Sequence, residues 1–561
     1  MSPVLILVLF LTGFTKPVFA GIKSCFDDFS SLSTCDFETF DSSWGFWQRK
    51  NDVLFGQTRF FYSENPIFKL AGDNSWSNYS IEADVKGLEG IDKILVGRFQ
   101  DISHYYILNL RSGFNNLGND LSLIKICCQG HKKELEWIPF PNSTNTWYHL
   151  RLDFFETNIK AYVDNRLIFN YDDNHYPELP FRTGRAGLGI WGGNFSPGNA
   201  SITKVIFDNV SIKPLNPKDI YILIPGFGSG WNPNAILSCD LAQTADWGMA
   251  PYVNIYKRLI DTLSPREKLN EDFFVYSYDW RQEMNTQAEL LNTYLTNIMA
   301  NKDFGTKINI VAHSMGGLII RSYLNKYPNA YEFGKIITLG TPHTGTPVVY
   351  PIWEGAEIPL NDWYFKLAID IMINNCSRKL NTSNKVSIIQ QIVPSLKDLL
   401  PIFPYLKDTN GNFVPANEIY AKNDWLLHLA GIPSSLTTIA GNNNETLSSL
   451  TITKPSAEEK NARLWIDGKP VENQKVPNGD NTVLVESALL PTSKTIILPN
   501  TNHLELNYSD LGIKTILAEL DFNDFTIASQ NNDSSLSIVS KPTSLEKFQP
   551  FIWKRYKLKT R

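Results

Sequence analysis

The hydrophobic period of this chain changes at Lys213-Pro214-Leu215-Asn216-Pro217-Lys218, and that change constrains what can fold on either side. Before it, apolar residues recur at every second position. Tyr79, Ile81, Ala83 and Val85 alternate with Ser80, Glu82 and Asp84, and Tyr148, Leu150, Leu152 and Phe154 alternate with His149, Arg151 and Asp153. A period of two sends successive side chains to opposite faces of a strand, so these runs are half-buried strands. Ile159, Ala161 and Val163 follow and meet a polar corner at Asp164-Asn165. No long helical period interrupts the series, which predicts a two-sheet antiparallel sandwich over residues 21–212.

After the joint at 213–218, Ile220-Tyr221-Ile222-Leu223-Ile224 is an apolar strand of the doubly buried kind. Strands and helices then take turns. Phe273-Phe274-Val275-Tyr276 and Lys335-Ile336-Ile337-Thr338-Leu339 are strands, and Ala288, Leu291, Leu295 and Ile298 mark one helix face. Such alternation over 219–520 predicts a mainly parallel sheet with helices on both faces. It lapses at about 346–435, where Trp353, Trp363, Tyr364, Phe365, Leu396, Leu399, Leu400, Pro401, Ile402 and Phe403 suit an inserted helical cap. A cap makes an apolar acyl pocket and excludes water, and the plainer use of each residue is the cap's own core.

At 561 residues the chain is too long for a single core. A net charge of -5 over that length gives no case for nucleic acid binding. Residues 1–20 read as an export signal, with an apolar stretch from Val4 to Phe14 and small residues at Val18 and Ala20. No Lys or Arg precedes the stretch and Lys16 follows it, so a short membrane anchor is the alternative to a secreted, extracellular or cell-surface protein. The six cysteines all lie beyond this segment. Cys25 with Cys35 and Cys239 with Cys376 are candidate disulfides, buried thiols are the alternative, and spacing does not choose between them. The adjacent pair Cys127-Cys128 suits no mutual bond. Residues 521–561 fade into polar sequence at Asn531-Asn532-Asp533-Ser534-Ser535 and end basic, with Phe548, Phe551 and Trp553 nearby. That is a solvated tail or a segment for peripheral membrane or cell-surface contact.

Residues 311–317 read Val-Ala-His-Ser-Met-Gly-Gly, between the apolar Ile308-Asn309-Ile310 and the helical Leu318-Ile319-Ile320. Strand, tight turn and helix in that order make a nucleophile elbow. Small residues at Ala312 and Gly316 leave Ser314 room in strained backbone geometry. Its hydroxyl is then open to a histidine from another loop, and the Met315 N–H points to where a tetrahedral oxyanion forms. In such sheets the order is Ser, acid, His, and only His343, His428 and His503 follow Ser314. His343 leaves no room for an acid-bearing strand, and His428 reads as a surface or cap histidine. His503, in a polar loop after Thr495-Ile496-Ile497-Leu498, is the candidate base. Asp480, in the turn Asn478-Gly479-Asp480-Asn481-Thr482-Val483, is the candidate acid. Its rival Asp467, in Trp465-Ile466-Asp467-Gly468, reads as a hairpin turn. The loop Pro225-Gly226-Phe227-Gly228-Ser229-Gly230 follows the first parallel strand and offers the Phe227 N–H as second oxyanion donor.

Two resemblances follow from these residues. Trp147-Tyr148-His149-Leu150, Val163-Asp164-Asn165, Gly184-Arg185-Ala186-Gly187-Leu188 and Phe207-Asp208-Asn209-Val210-Ser211-Ile212 resemble concanavalin A-like or laminin-G-like jelly rolls over about a third of the chain. That likeness implies a sugar-binding or adhesive module, sometimes with calcium, and singles out no binding residue. Pro225-Gly226-Phe227-Gly228, Tyr278-Asp279-Trp280-Arg281, Ala312-His313-Ser314-Met315-Gly316-Gly317, Gly340-Thr341-Pro342-His343-Thr344-Gly345 and Gly479-Asp480-Asn481-Thr482-Val483 stand in the order seen in lecithin:cholesterol acyltransferase-like proteins and related bacterial lipases. This second likeness implies an α/β-hydrolase fold and a Ser314–Asp480–His503 triad. It also implies catalysis without metal or organic cofactor, and lipid-ester hydrolysis or acyl transfer. Asn481 stands where the family commonly has glycine, and asparagine tolerates the left-handed backbone of such a turn. Tyr278-Asp279-Trp280-Arg281 is either a packed, ion-paired loop or a substrate contact. The expected protein is a secreted serine hydrolase or O-acyltransferase. Its rivals are an esterase on acylated polysaccharide delivered by the sandwich, and an adhesive protein whose hydrolase domain is inactive.

Overall fold

The computed structural model describes residues 22–528, except 23, 31–33, 60–64, 113–118, 128–130, 175–178, 193–201, 240–246, 252, 358–362, 416–417, 430–434 and 525. Side chains at 237–238 and 363–368 are also outside the description. The expected export signal, the tail from 529, Cys128, and the side chains of Trp363, Tyr364 and Phe365 therefore lie outside the described residues. The chain forms two compact units, Met1–Pro217 with Asp303–Gly305, and Lys218–Lys302 with Thr306–Arg561. No helix among the described residues is long and apolar enough to cross a membrane.

The first unit holds two antiparallel sheets. One runs Arg166–Asp172, Asn158–Val163, Trp147–Phe155, Tyr79–Glu89, Lys204–Pro214, Val53–Thr58, Gly45–Lys50, with Cys25–Asp27 added along Lys204–Pro214. The other runs His131–Pro139, Asp120–Cys127, His104–Arg111, Asp92–Asp101, Arg185–Ile190, Ile67–Ala71, Glu38–Phe40. Ile81, Ala83, Val85, Leu150 and Leu152 from the first meet Leu95, Tyr106, Leu108 and Leu123 from the second in one core, the expected sandwich. The corner at Asp164-Asn165 has φ of 50° and 62°, the backbone that matches strand twist in a tight hairpin. Half-burial describes the first sheet but not the second. Phe68, Leu70, Ile94, Val96, Ile107 and Ile124 form a separate buried cluster on the second sheet's other face. Its strands are apolar at consecutive positions, as in Ile94-Leu95-Val96, so no single face takes all of them. Cys25 is bonded to Cys35.

The second unit is built on a sheet ordered Phe273–Val275, Ile220–Ile224, Ile308–His313, Phe333–Leu339, Leu436–Gly441, Lys494–Leu498, every neighbouring pair parallel. Alternate residues serve opposite faces. Ile222, Ile310 and Ile336 join the core with Ala288, Leu291 and Leu295 of helix Met284–Met299 and Leu318, Ile319 and Tyr323 of helix Met315–Lys326. Leu223, Val311 and Ile337 join Leu259 and Leu263 of helix Lys257–Leu263 and Ile513, Ile516 and Leu517 of helix Asp510–Glu519. That is the α/β-hydrolase arrangement, with helices on both faces. Chain order reverses between Ile220–Ile224 and Ile308–His313, so the loops leaving these strands run to opposite sides at their carboxyl ends.

The insertion holds helices Tyr350–Gly355, Trp363–Lys379, Lys385–Ile392 and Asp424–Leu427, with 3-10 turns at Pro347–Val349 and Pro394–Leu399. Leu396, Leu399 and Leu400 are buried in the same core as Ile222, Leu291 and Leu318, so the insertion has no core of its own at these residues. A covalent tie, Cys239–Cys376, joins helix Trp363–Lys379 to the end of helix Pro233–Ser238. One expectation is corrected. Asp467-Gly468 is not a tight hairpin corner, because helix Ala457–Asn461 lies in the connection between the paired strands Thr446–Thr453 and Lys469–Val476. Asp467 instead accepts the Tyr420 and Ala421 N–H groups at 2.5 and 2.8 Å, and Gly468 leaves this turn at φ 136°. These strands and Leu406–Lys407 make a small side sheet that no periodicity announced.

Candidate active site

Ser314 stands between strand Ile308–His313 and helix Met315–Lys326, with φ 54° and ψ -125°. A serine pays a steric penalty there, tolerated because its backbone is pinned: Ser314 N–H donates to Leu339 O at 2.8 Å and Gly317 N–H to Ser314 O at 3.0 Å. Gly316 is forced by the same crossing, since a Cβ there would sit 2.4 Å from Ile224 O. Met315 opens the helix, so its N–H belongs to the first turn, where no intrahelical acceptor exists.

Asp480 and His503 come together across the crest of the sheet. Asp480 Oδ2 lies 2.7 Å from His503 Nδ1, and His503 N–H donates to Asp480 O at 2.7 Å. The other carboxylate oxygen accepts Thr482 N–H at 3.0 Å and Val483 N–H at 2.7 Å. Asp480 is fully buried and His503 is 7% exposed. A carboxylate only accepts, so Nδ1 carries the proton and Nε2 is left as the basic nitrogen. Gly340, at φ 55°, passes so close that a Cβ would lie 2.7 Å from Asp480 Oδ2 and 2.9 Å from His503 Nδ1. Asn481 holds φ 77° and donates its N–H to Thr446 Oγ1 at 2.8 Å. The turn accommodates asparagine as the sequence suggests.

The pair is adjacent to the elbow. The ring of His313 lies 4.7 Å from that of His503, centroid to centroid, and its Nε2 is 3.0 Å from His503 O. Loop 225–230 closes the other side, where a Cβ on Gly226 would lie 3.0 Å from Ser314 Cβ. This loop is held at three points. Tyr278 Oη donates to Pro225 O at 2.7 Å, Gly226 N–H donates to Tyr256 Oη at 2.7 Å, and Trp280 Nε1 donates to Gly230 O at 3.0 Å. Phe227 packs edge-on against Trp280, ring centroids 4.6 Å apart. Tyr278-Asp279-Trp280-Arg281 is thus a packed, ion-paired loop. Arg281 Nε and Nη2 each donate to Asp279 at 2.8 Å, both residues being buried.

The remaining histidines lie elsewhere in the bonding. His343 is buried, with Nε2 3.1 Å from Thr338 Oγ1 and its carbonyl accepting from Arg321. His428 caps helix Asp424–Leu427, with Nδ1 2.7 Å from Asp424 O. Two buried residues escaped the sequence: Tyr256, which nothing local marks, and His313, whose only signal was its place inside the elbow. Burial, and secondarily the neighbouring His503, hold His313 well below the ordinary histidine range, so it stays neutral.

Residues 199–357 match the model of the Lecithin:cholesterol acyltransferase family. The chain is 34% identical over 113 residues to an uncharacterized protein of Saccharomyces cerevisiae, a match covering 20% of this chain and 17% of that protein. It is 34% identical over 83 residues to a phospholipase A(1) of Arabidopsis thaliana, covering 14% of this chain and 19% of that protein. The chain thus spans less than a fifth of the length of these curated relatives. Among solved structures, a Bacillus licheniformis lipase aligns with TM-score 0.28 and 15% identity over 55% of this chain and 95% of its own. A carbohydrate binding module from Bacillus subtilis aligns with TM-score 0.25 and 20% identity over 32% of this chain and 94% of its own. In chain order, a two-sheet antiparallel sandwich is followed by a parallel-sheet unit, and the match to the Lecithin:cholesterol acyltransferase family falls mainly on the first part of the second.

Proposed function

We propose that this protein is a secreted serine hydrolase or O-acyltransferase acting on lipid esters. The observation that carries the reading is the buried Asp480–His503 pair beside the strained Ser314 elbow. Ser314 Oγ attacks the ester carbonyl while His503 Nε2 takes its proton, and Asp480 holds the imidazole in the tautomer this requires. The Phe227 and Met315 N–H groups receive the developing oxyanion. As the carbonyl reforms, the bond to the leaving alkoxide breaks and His503 returns the proton to it. Water or a second alcohol then resolves the acyl-enzyme by the same steps in reverse. These steps need no metal or organic cofactor. Hydrolysis and transfer share every one of these groups, and exclusion of water from the site divides them.

The lipid-ester class is supported by the family match over 199–357 and by the likeness to a phospholipase A(1). A place outside the cytoplasm is supported by the disulfides Cys25–Cys35 and Cys239–Cys376. The test is a panel of acyl-chain lengths and alcohol acceptors run with wild type and Ser314→Ala. Wild type should turn over long-chain esters, and the variant should lose about a thousandfold or more in rate. Full activity in Ser314→Ala would overturn the site. Turnover confined to acetylated polysaccharide would overturn the lipid class.

A further inference from the structure

Two side chains outside the proposed triad connect loop 225–230, the Ser314 elbow and the His503 loop. Tyr256, just before helix Lys257–Leu263, is buried, and so is His313, one residue before Ser314. Tyr256 Oη accepts the Gly226 N–H at 2.7 Å, also meets the Ser229 hydroxyl, and lies 2.8 Å from His313 Nδ1. On the far side of the ring, His313 Nε2 is 3.0 Å from the His503 carbonyl oxygen.

The donor directions are fixed by chemistry. A carbonyl only accepts, so His313 Nε2 carries the proton. A neutral imidazole then has a bare Nδ1, and the Tyr256 hydroxyl donates to it. The result is one unbroken chain: Gly226 N–H to Tyr256 Oη, Tyr256 O–H to His313 Nδ1, His313 Nε2–H to His503 O. Both ends of the chain are backbone groups, so it delivers no proton to a substrate. What it sets is distance. One end is the residue before the proposed oxyanion donor Phe227, and the other is the backbone of the proposed base. The Gly226 N–H, engaged by Tyr256, is withheld from substrate.

We infer that Tyr256 and His313 are a positioning pair that fixes the oxyanion loop and the His503 loop relative to Ser314. The inference rests on the serine mechanism proposed above. It predicts damage to turnover without damage to substrate binding, because near-attack geometry enters the barrier far more steeply than it enters affinity. It also distinguishes Tyr256 from an ordinary core tyrosine, whose loss lowers the amount of folded enzyme and not the rate of each site.

The experiment is steady-state kinetics on a soluble ester with Tyr256→Phe, normalised to serines titrated by a fluorophosphonate. Per titrated site, kcat should fall about 10- to 100-fold with KM within about twofold. His313→Gln and His313→Leu give a second comparison. The glutamine amide can still donate to the His503 carbonyl, so it should retain several-fold more turnover than leucine. Wild-type kcat per site in Tyr256→Phe would overturn the pair, as would equal turnover in the two His313 variants. Ser314→Ala, which has no serine to titrate and is compared per mole of folded protein, separates the two readings. If it is inactive while Tyr256→Phe is unimpaired, only the pair fails; if it is active, the serine mechanism itself fails.

Discussion

The crest of the parallel sheet and the inserted region treat buried carboxylates in opposite ways. At the crest, both oxygens of Asp480 are engaged, by two backbone N–H groups and by His503. In the insertion, Glu354 on helix Tyr350–Gly355 is equally buried; Ile466 N–H donates to Oε2 at 2.7 Å and the Asp467 N–H adds a lesser contact, while Oε1 has no hydrogen-bond partner among the described residues. The hydroxyl of buried Tyr405 is likewise unpartnered among them. The Asp480 turn folds its own following amides, Thr482 and Val483, back onto the carboxylate, whereas Glu354 depends on amides from a segment more than a hundred residues away. A carboxylate with complete partners is held in one orientation. One without them is pushed toward its neutral form.

The largest expected effect comes from breaking the crest. Asp480→Asn keeps the volume and an acceptor for Thr482 and Val483, but it no longer selects the His503 tautomer. Ester turnover should fall about 10³- to 10⁴-fold with the unfolding midpoint little changed. A loss below tenfold would mean that the crest does not depend on that carboxylate.

Next in size is the covalent tie. Hydrogen bonds hold the crest, and Cys239–Cys376 holds helix Trp363–Lys379 of the insertion across a sequence separation of 137. Closing so long a loop restricts the unfolded chain, by up to about 5 kcal/mol in the chain-entropy treatment. The double variant Cys239→Ala/Cys376→Ala should unfold at clearly lower denaturant while keeping near-normal turnover where it is folded. Equal stability would show that noncovalent packing of the insertion suffices.

The smallest effect probes the incomplete partners of Glu354. Burial first, and the charge of Asp467 second, push it up to about 7 from 4.5. The folded protein therefore holds that proton more tightly than the unfolded chain does. Its stabilising effect is complete below about pH 4.5 and is lost as pH rises through about 7, on the order of 3 kcal/mol in all. Glu354→Gln should narrow the difference in unfolding free energy between about pH 5 and about pH 8. Asp398, which accepts Met284 N–H at the start of helix Met284–Met299, is also raised to about 7 and keeps its own share of the slope. An unchanged difference would show that the insertion tolerates an ionised Glu354 after all.

Much of the site was legible because its signals are local or ordered along the chain. Ser314 was found from a strand, small neighbours and a helix within a short stretch, and His503 from its place after the last strand. The Asp467 turn was misread because an Asp-Gly pair looks alike in a two-residue hairpin and at the end of a longer connection. Tyr256 was invisible, since its hydroxyl meets Gly226 and His313 only after two strands and a helix have brought distant segments together.

By itself, then, the sequence determined the two kinds of layer and nominated the candidate Ser, Asp and His. Periodicity and chain order are properties of neighbours in sequence, and each follows from one strand or one turn. Tertiary structure alone decided the cysteine pairing, the side sheet, the clamp of Tyr278 and Trp280 on loop 225–230, and the Tyr256–His313 link. Each of these depends on groups far apart in the chain whose approach is set by the packing of the whole sheet.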